Sequence, residues 1–262
     1  MAEIIRTPQV EVELKSGNVF SFGKMFWRIL EVNKEQQTML VITDREVCEK
    51  KYNDKYVNTT WEDCTLRKWL NEEYLNTVFS KEEQDAILTT HLTNPDNPSY
   101  GTKGGNDTED KIYLLSIDEA YQYFKDARDR STGNSWWLRS PGYGSKDGAV
   151  VRNDGGVDST GDDVTVRYFI RPALNLNLQS EIIHSKIQEQ DGSLMIRTAQ
   201  IVIEETKLIK ADTRAKEISV PEGVTEITSH AFDCCEMLET INISSSLSTI
   251  GNEALADELI LK

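Results

Sequence analysis

The sequence predicts an α+β fold followed by a short repeat segment, and three observations carry that prediction. Apolar runs near the N-terminus are joined by turns too short to hold a crossover helix, so they pair antiparallel. Two capping boxes, Ser80 with Glu83 and Ser116 with Glu119, open stretches of helical apolar spacing. From Ile218 onward the chain repeats itself with a period of about 23 residues.

In order along the chain, Val10–Leu14 alternates as a strand edge. Val19–Val32 reads as two strands around a turn at Gly23, and Thr38–Thr43 as a third after the polar turn Lys34–Gln37. Asp44–Asn58 is charged and irregular. Thr65–Val78 reads as a helix because Leu66, Trp69, Leu70, Tyr74 and Val78 recur at helical spacing. A second helix follows Ser80. Thr93–Asp110, rich in Pro, Gly, Asn and Asp, reads as a long surface loop. Ile112–Leu115 is a short strand, and the helix opened by Ser116 runs through Tyr121, Phe124 and Ala127.

Everything converges on Asn134–Leu178. An apolar strand at Trp136–Leu138 leads into a turn at Pro141–Gly142. Five glycines then alternate with Asp147, Asn153, Asp154, Asp158, Asp162 and Asp163, and the run Phe169–Leu178 closes the stretch with period two. Two apolar strands thus bracket short hairpins with polar turns, a rigid platform that carries loops.

Composition excludes several function classes. With 44 acidic against 29 basic residues the net charge is −15, and no basic patch for nucleic acid is visible. No apolar run approaches the ~20 residues of a membrane span, and MAEIIRTPQV lacks the apolar core of a signal peptide. Cys48, Cys64, Cys234 and Cys235 form no C-x-x-C pair and read as small buried side chains. If any disulfide forms, Cys48 with Cys64 is the pairing expected, since adjacent Cys234 and Cys235 would be strained. His91, His184 and His230 have no ligand-like spacing, and there is no Walker loop, H-E-x-x-H or G-x-S-x-G.

WWLRSPG (Trp136–Gly142), GGVDSTGDDV (Gly155–Val164) and RPAL (Arg171–Leu174) resemble a family of bacterial proteins of unknown function. TWEDCTLRKWLNEEYLNTVFS (Thr60–Ser80) and KIYLLSIDEA (Lys111–Ala120) fit the same family. That family is similar to the C-type-lectin-like fold of formylglycine-generating enzymes and of retroelement-diversified receptors. The resemblance covers Phe22–Leu178 and implies a C-type-lectin-like domain of antiparallel strands with two or three helices. It also implies an extracellular or cell-surface setting. ISVPEGVTEITSHAFDCCEMLETI (Ile218–Ile241) resembles the leucine-rich repeats of bacterial surface antigens, in which Cys235 falls on a core position. In the repeat Ile218 returns as Ile241, Val220 as Ile243, Ile227 as Ile250 and Leu238 as Leu261. The division expected is therefore a lectin-like domain over 1–178, a connector with two or three strands over 179–210, and about two repeat units over 211–262.

Formylglycine-generating chemistry relies on a cysteine pair in the closing part of the fold, and Trp136–Leu178 contains no cysteine. The expected function is accordingly non-catalytic recognition of a protein or glycan. The ligand-binding residues expected are Tyr143, Asn153, Asp154, Asp158, Thr160 and Asp162, on glycine-spaced turns. Their alanine variants should fold almost normally. The acids there are read as turn formers and no cofactor is assigned, calcium being the ion that such an oxygen cluster would take. Trp136 and Trp137 are structural, and being adjacent they face opposite sides, one toward the core and the other toward a ligand face or a helix. Arg139 and Arg171 are structural too, at least one of them as an ion-pair partner. The alternatives are an assembly module that self-associates through the repeats and an oxidase of the formylglycine-generating type.

Overall fold

A computed structural model describes residues 5, 7–255 and 260–261; the expected segment ends at Met1 and Lys262 lie outside the described residues. The chain is mostly sheet with few helices, an α+β fold, and it divides into two compact units. One holds Arg28–Ser185 with Lys15–Gly17; the other holds Lys186 onward together with the N-terminal segment to Leu14 and Asn18–Trp27. This differs from a boundary at Leu178. The N-terminal strand Gln9–Glu13 pairs antiparallel with Ser193–Ala199, placing Val12 opposite Ile196. Such a long-range pairing leaves no local trace in sequence.

In the Arg28–Ser185 unit, one sheet runs through the part of the strand Met25–Asn33 that begins at Arg28, then Thr38–Thr43, Ala173–Asn177 and Ile87–Leu88, in that order. A second has the order Val157–Asp163, Asp147–Val151, Trp136–Pro141, Arg167–Phe169, Glu49–Lys51. It is antiparallel except where Phe169 pairs parallel to Trp136, a departure from the all-antiparallel expectation. Ile112–Leu115 forms a single bridge, Tyr113 to Ala173, instead of a strand.

The helix over Thr65–Val78 is continuous but widens into a π-helical turn at Leu70–Tyr74, so that Leu66, Leu70, Tyr74, Leu75 and Val78 all face inward. Its N-cap is Cys64, whose Sγ accepts from the Arg67 N–H. Both capping boxes form as their spacing demands. The Ser116 helix, however, stops at Tyr123. Phe124 is extended, turning its ring toward Trp136 and Arg171, and Asp126 caps a new turn over Ala127–Arg130. With Lys81–Ala86 and Glu181–His184, the unit has more and shorter helices than the two or three expected.

In the other unit, Ile187–Gln190, Ser193–Ala199, Ile201–Glu204 and Lys207–Ala211 occupy the expected connector, four strands in place of two or three. Ile201–Glu204 closes antiparallel on Lys207–Ala211, and from there pairing turns parallel. Glu226–Ile227 and Thr249–Ile250 stack on it, while Glu217–Ser219 and Thr240–Asn242 form a second ladder. The 23-residue period is therefore physical, and Ser244 Oγ reaching back to the Pro221 carbonyl spans one period. Each turn buries its apolar residues on the next, with Leu208, Ile218, Val224, Ile227 and Ile241 fully covered. Ile243 and Ile250 are each 39% exposed, less covered than their counterparts Val220 and Ile227. Leu261 pairs beside Ile241 in place of repeating Leu238.

None of the four cysteines is in a disulfide. Cys64 and Cys235 are buried, but Cys48 is half-buried and Cys234 exposed, so the buried reading fails for two. Burial pushes the Cys64 thiol up to about 12, which keeps it protonated as a cap.

Candidate recognition surface

The platform beneath the loops is the strand Trp136–Pro141, buried at every residue. Alternation does send the two tryptophans to opposite faces, but both faces are covered. Trp136 meets the Phe124 ring at 6.4 Å and lies 5.1 Å from the Arg171 guanidinium. Trp137 meets Tyr52 at 5.7 Å and Tyr168 at 5.0 Å, edge-on in both cases, and its Nε1 donates to the Lys50 carbonyl at 2.9 Å. Neither indole is solvent-exposed, so of the two alternatives expected for the second tryptophan, a ligand face or packing under a helix, the ligand face is not realised.

Arg139 is buried and forked onto Glu119, with further bonds to the carbonyls of Leu114 and Thr93 and to Asn94 Oδ1. Arg171 has a different role. It donates to the carbonyls of Thr43, Asp44 and Arg130 and lies over the Phe124 and Trp136 rings, tying four chain segments together.

The first hairpin turn, between Pro141 and Asp147, presents Tyr143 with 65% of its surface exposed. Its ring meets Tyr100 edge-on at 5.0 Å, and the Tyr100 hydroxyl is 3.0 Å from Thr160 Oγ1. Tyr100 comes from the supposed surface loop. That loop is anchored from below by Asn97, only 2% exposed, whose Nδ2 donates to the carbonyls of Pro141, Gly142 and Ser159. Asn97 Oδ1 accepts from Ser99 and Tyr100 N–H and so fixes the turn that presents the tyrosine. Ser99 Oγ bonds Ser159 Oγ, and Thr102 Oγ1 donates to the Tyr143 carbonyl. The close approach requires Gly142, where a Cβ would fall 2.5 Å from the Thr160 carbonyl oxygen. Gly161 is equally constrained, at φ +67° with a Cβ position 1.9 Å from the Gly148 oxygen.

The six expected ligand-binding residues thus separate into three groups. Tyr143 and Thr160 share this patch. Asn153 and Asp154 stand in the turn at the opposite end of the Asp147–Val151 strand. There the Asn153 carbonyl accepts from Ser131 Oγ, and Asp154 Oδ1 accepts from Gly156 N–H. Asp158 and Asp162 face one cation and one phenol. Asp158 Oδ2 accepts from both Nε and Nη2 of Arg152, and Asp162 Oδ2 accepts from the Tyr168 hydroxyl at 2.7 Å. Among the described residues no three His, Cys, Asp or Glu side chains converge as a metal site.

Asp158 departs from the expectation of neutral substitution. Its Oδ1 also accepts from Thr160 and Gly161 N–H, where the pairing of Val157–Asp163 with Asp147–Val151 shifts register between Gly148 and Val150. Partial burial opposes its ionisation, yet the Arg152 bond and these N–H groups hold its carboxyl below the usual range. A depressed folded pKa contributes stability above the unfolded value of about 3.9, and that contribution is lost as pH falls through the folded one. Asp158→Asn is therefore expected to cost about 1 kcal/mol at neutral pH after solvent screening. The gap to wild type should be smaller in urea melts at pH 3 than at pH 7, because pH 3 lies below the unfolded value. A gap of the same size at both pH values would show that the charge contributes nothing.

Sequence reasoning missed Tyr100, Ser99 and Asn97. The signal was the pair of Asn-Pro dipeptides at Asn94–Pro95 and Asn97–Pro98, each a turn initiator.

Among the described residues no helix is long and apolar enough to cross a membrane. No curated protein and no solved structure matches the chain. Residues 203–262 match the BspA type Leucine rich repeat region, which begins at residue 203 and not at the expected 211. Residues 36–178, more than half of the chain, match the Domain of unknown function DUF6273, and the chain belongs to that family.

Proposed function

We propose that the DUF6273 domain is a non-catalytic recognition module that binds a protein or glycan through the patch around Tyr100 and Tyr143. The observation that carries this reading is an exposed aromatic pair ringed by the hydroxyls of Ser99, Thr160 and Ser159, fixed to a fully buried strand by Asn97. Tyrosines with two torsions give a large amphipathic contact at small entropic cost, and neighbouring hydroxyls adapt their hydrogen bonds to the partner. The resemblance to the C-type-lectin-like fold, and the variation of loops in its diversified relatives, supports the same choice of surface. The BspA-type repeats support a bacterial cell-surface setting. A formylglycine-type oxidase is the less supported reading, because the four cysteines all lie outside Trp136–Leu178.

A second reading, self-association through the repeats, is favoured by the exposure of Met237, Ile243 and Ile250 in the repeat segment. Glycan arrays and cell-surface protein libraries probed with wild type, Tyr100→Ala and Tyr143→Ala separate the two. Both variants should keep stability within about 0.5 kcal/mol and lose at least about tenfold in affinity for any ligand that the wild type captures. Full retention of binding by both variants would eliminate this patch.

A further inference from the structure

We propose that the Glu49–Lys51 edge of the second sheet holds a binding site for a doubly charged tetrahedral oxyanion such as a phosphate monoester. Lys50, Lys51 and Arg167 line a cavity of about 230 Å³ together with Asp54, Thr65 and Trp69. Three cations against one carboxylate leave this hollow positively charged on a chain whose net charge is −15.

The register makes the arrangement costly without a ligand. Glu49–Lys51 and Arg167–Phe169 pair antiparallel, with Arg167 directly opposite Lys51. Like charges facing each other across a ladder repel and destabilise the pair. Neither is ion-paired to a carboxylate among the described residues. The Arg167 guanidinium has only a 3.4 Å contact to the Glu49 carbonyl, and the Lys50 ammonium sits 4.0 Å over the Trp69 ring. The Thr65 hydroxyl accepts from the Asp54 N–H, which leaves its own proton to donate into the cavity. A dianion would match the surplus charge, take a fork from Arg167 and point charges from the lysines, and accept from Thr65. The cavity has room for the oxyanion and part of the small molecule that carries it.

Lysines on a sheet edge also deter edge-to-edge aggregation, and Glu49–Lys51 is an edge strand. That role needs no cavity, no opposed arginine and no ligand, so the two accounts give different results. The experiment is thermal unfolding and calorimetry of the full chain with inorganic phosphate, sulfate and a hexose 6-phosphate, against sodium chloride at equal ionic strength. Phosphate or sulfate should raise the melting temperature saturably where chloride does not. Lys51→Met and Arg167→Met should each weaken that response at least about tenfold while melting, without ligand, at or above wild type. Tighter binding of the hexose phosphate than of inorganic phosphate would assign the site to a phosphorylated small molecule. Equal binding would assign it to the free ion, and preference for sulfate to a sulfate ester. Responses to phosphate and sulfate no larger than to chloride, or unchanged in both variants, would overturn the proposal. The site shares no residue with the Tyr143 patch, so either can fail without the other.

Discussion

Trp137→Ala is expected to cost about 3–5 kcal/mol, and Trp136→Ala as much. Both indoles are fully buried, each on its own face of one strand. Removing Trp137 empties the contact between Tyr52 and Tyr168, and the neighbourhood cannot close over the gap by shifting a side chain. Gly148 lies against the indole so closely that a Cβ there would stand 3.0 Å from Cζ3, so the opposing backbone is already at its limit. Removing Trp136 uncovers one face of Arg171, whose guanidinium makes no direct ion pair among the described residues and is held by carbonyls. Urea unfolding of the two variants checks the expectation. A loss below about 1 kcal/mol for either would show that its side of the sheet is solvated.

How far this was legible in the sequence depends on the range of each interaction. The capping boxes at Ser80 and Ser116 involve residues three apart, and both form as their spacing requires. The repeat was legible because Ile218 and Ile241 stand in the same place one turn apart. The first rung was not, because Lys207 pairs with Glu226 at the shorter offset that also separates Thr206 from Thr225. Alternation correctly sent Trp136 and Trp137 to opposite faces. It carried no information about Phe124, which leaves its helix to cover one of them.

The candidate site was half legible for the same reason. Tyr143 was identifiable as a turn residue on a rigid frame, whereas Thr160, expected on a turn, stands within the strand Val157–Asp163 because that stretch pairs with Asp147–Val151. Asn97 was not, since a buried asparagine holding three carbonyls from distant segments looks, in sequence, like any loop asparagine. The acids read in sequence as turn formers, and nothing local marks Arg152 and Tyr168 as the partners of Asp158 and Asp162.

Glu119→Gln is expected to be the most damaging single-charge change, at about 2–4 kcal/mol. Arg139 is nearly inaccessible, and its fork onto Glu119 supplies the only carboxylate it contacts among the described residues. Glutamine preserves the shape and can still reach the Ser116 N–H, so the helix cap survives. The charge does not, and Arg139 is left buried with only neutral acceptors at Leu114, Thr93 and Asn94. The lower end of the range reflects Glu119 itself, whose side chain keeps 25% of its exposure and some access to water. Arg139→Met should also be costly, because it strands those carbonyls and the carboxylate together. The double variant Glu119→Gln/Arg139→Met should then lose less than the sum of the singles, since no buried charge remains in it. Denaturant melts of all four proteins measure this coupling. Additive losses would mean that the pair is screened, and that Arg139 is held by its carbonyls alone.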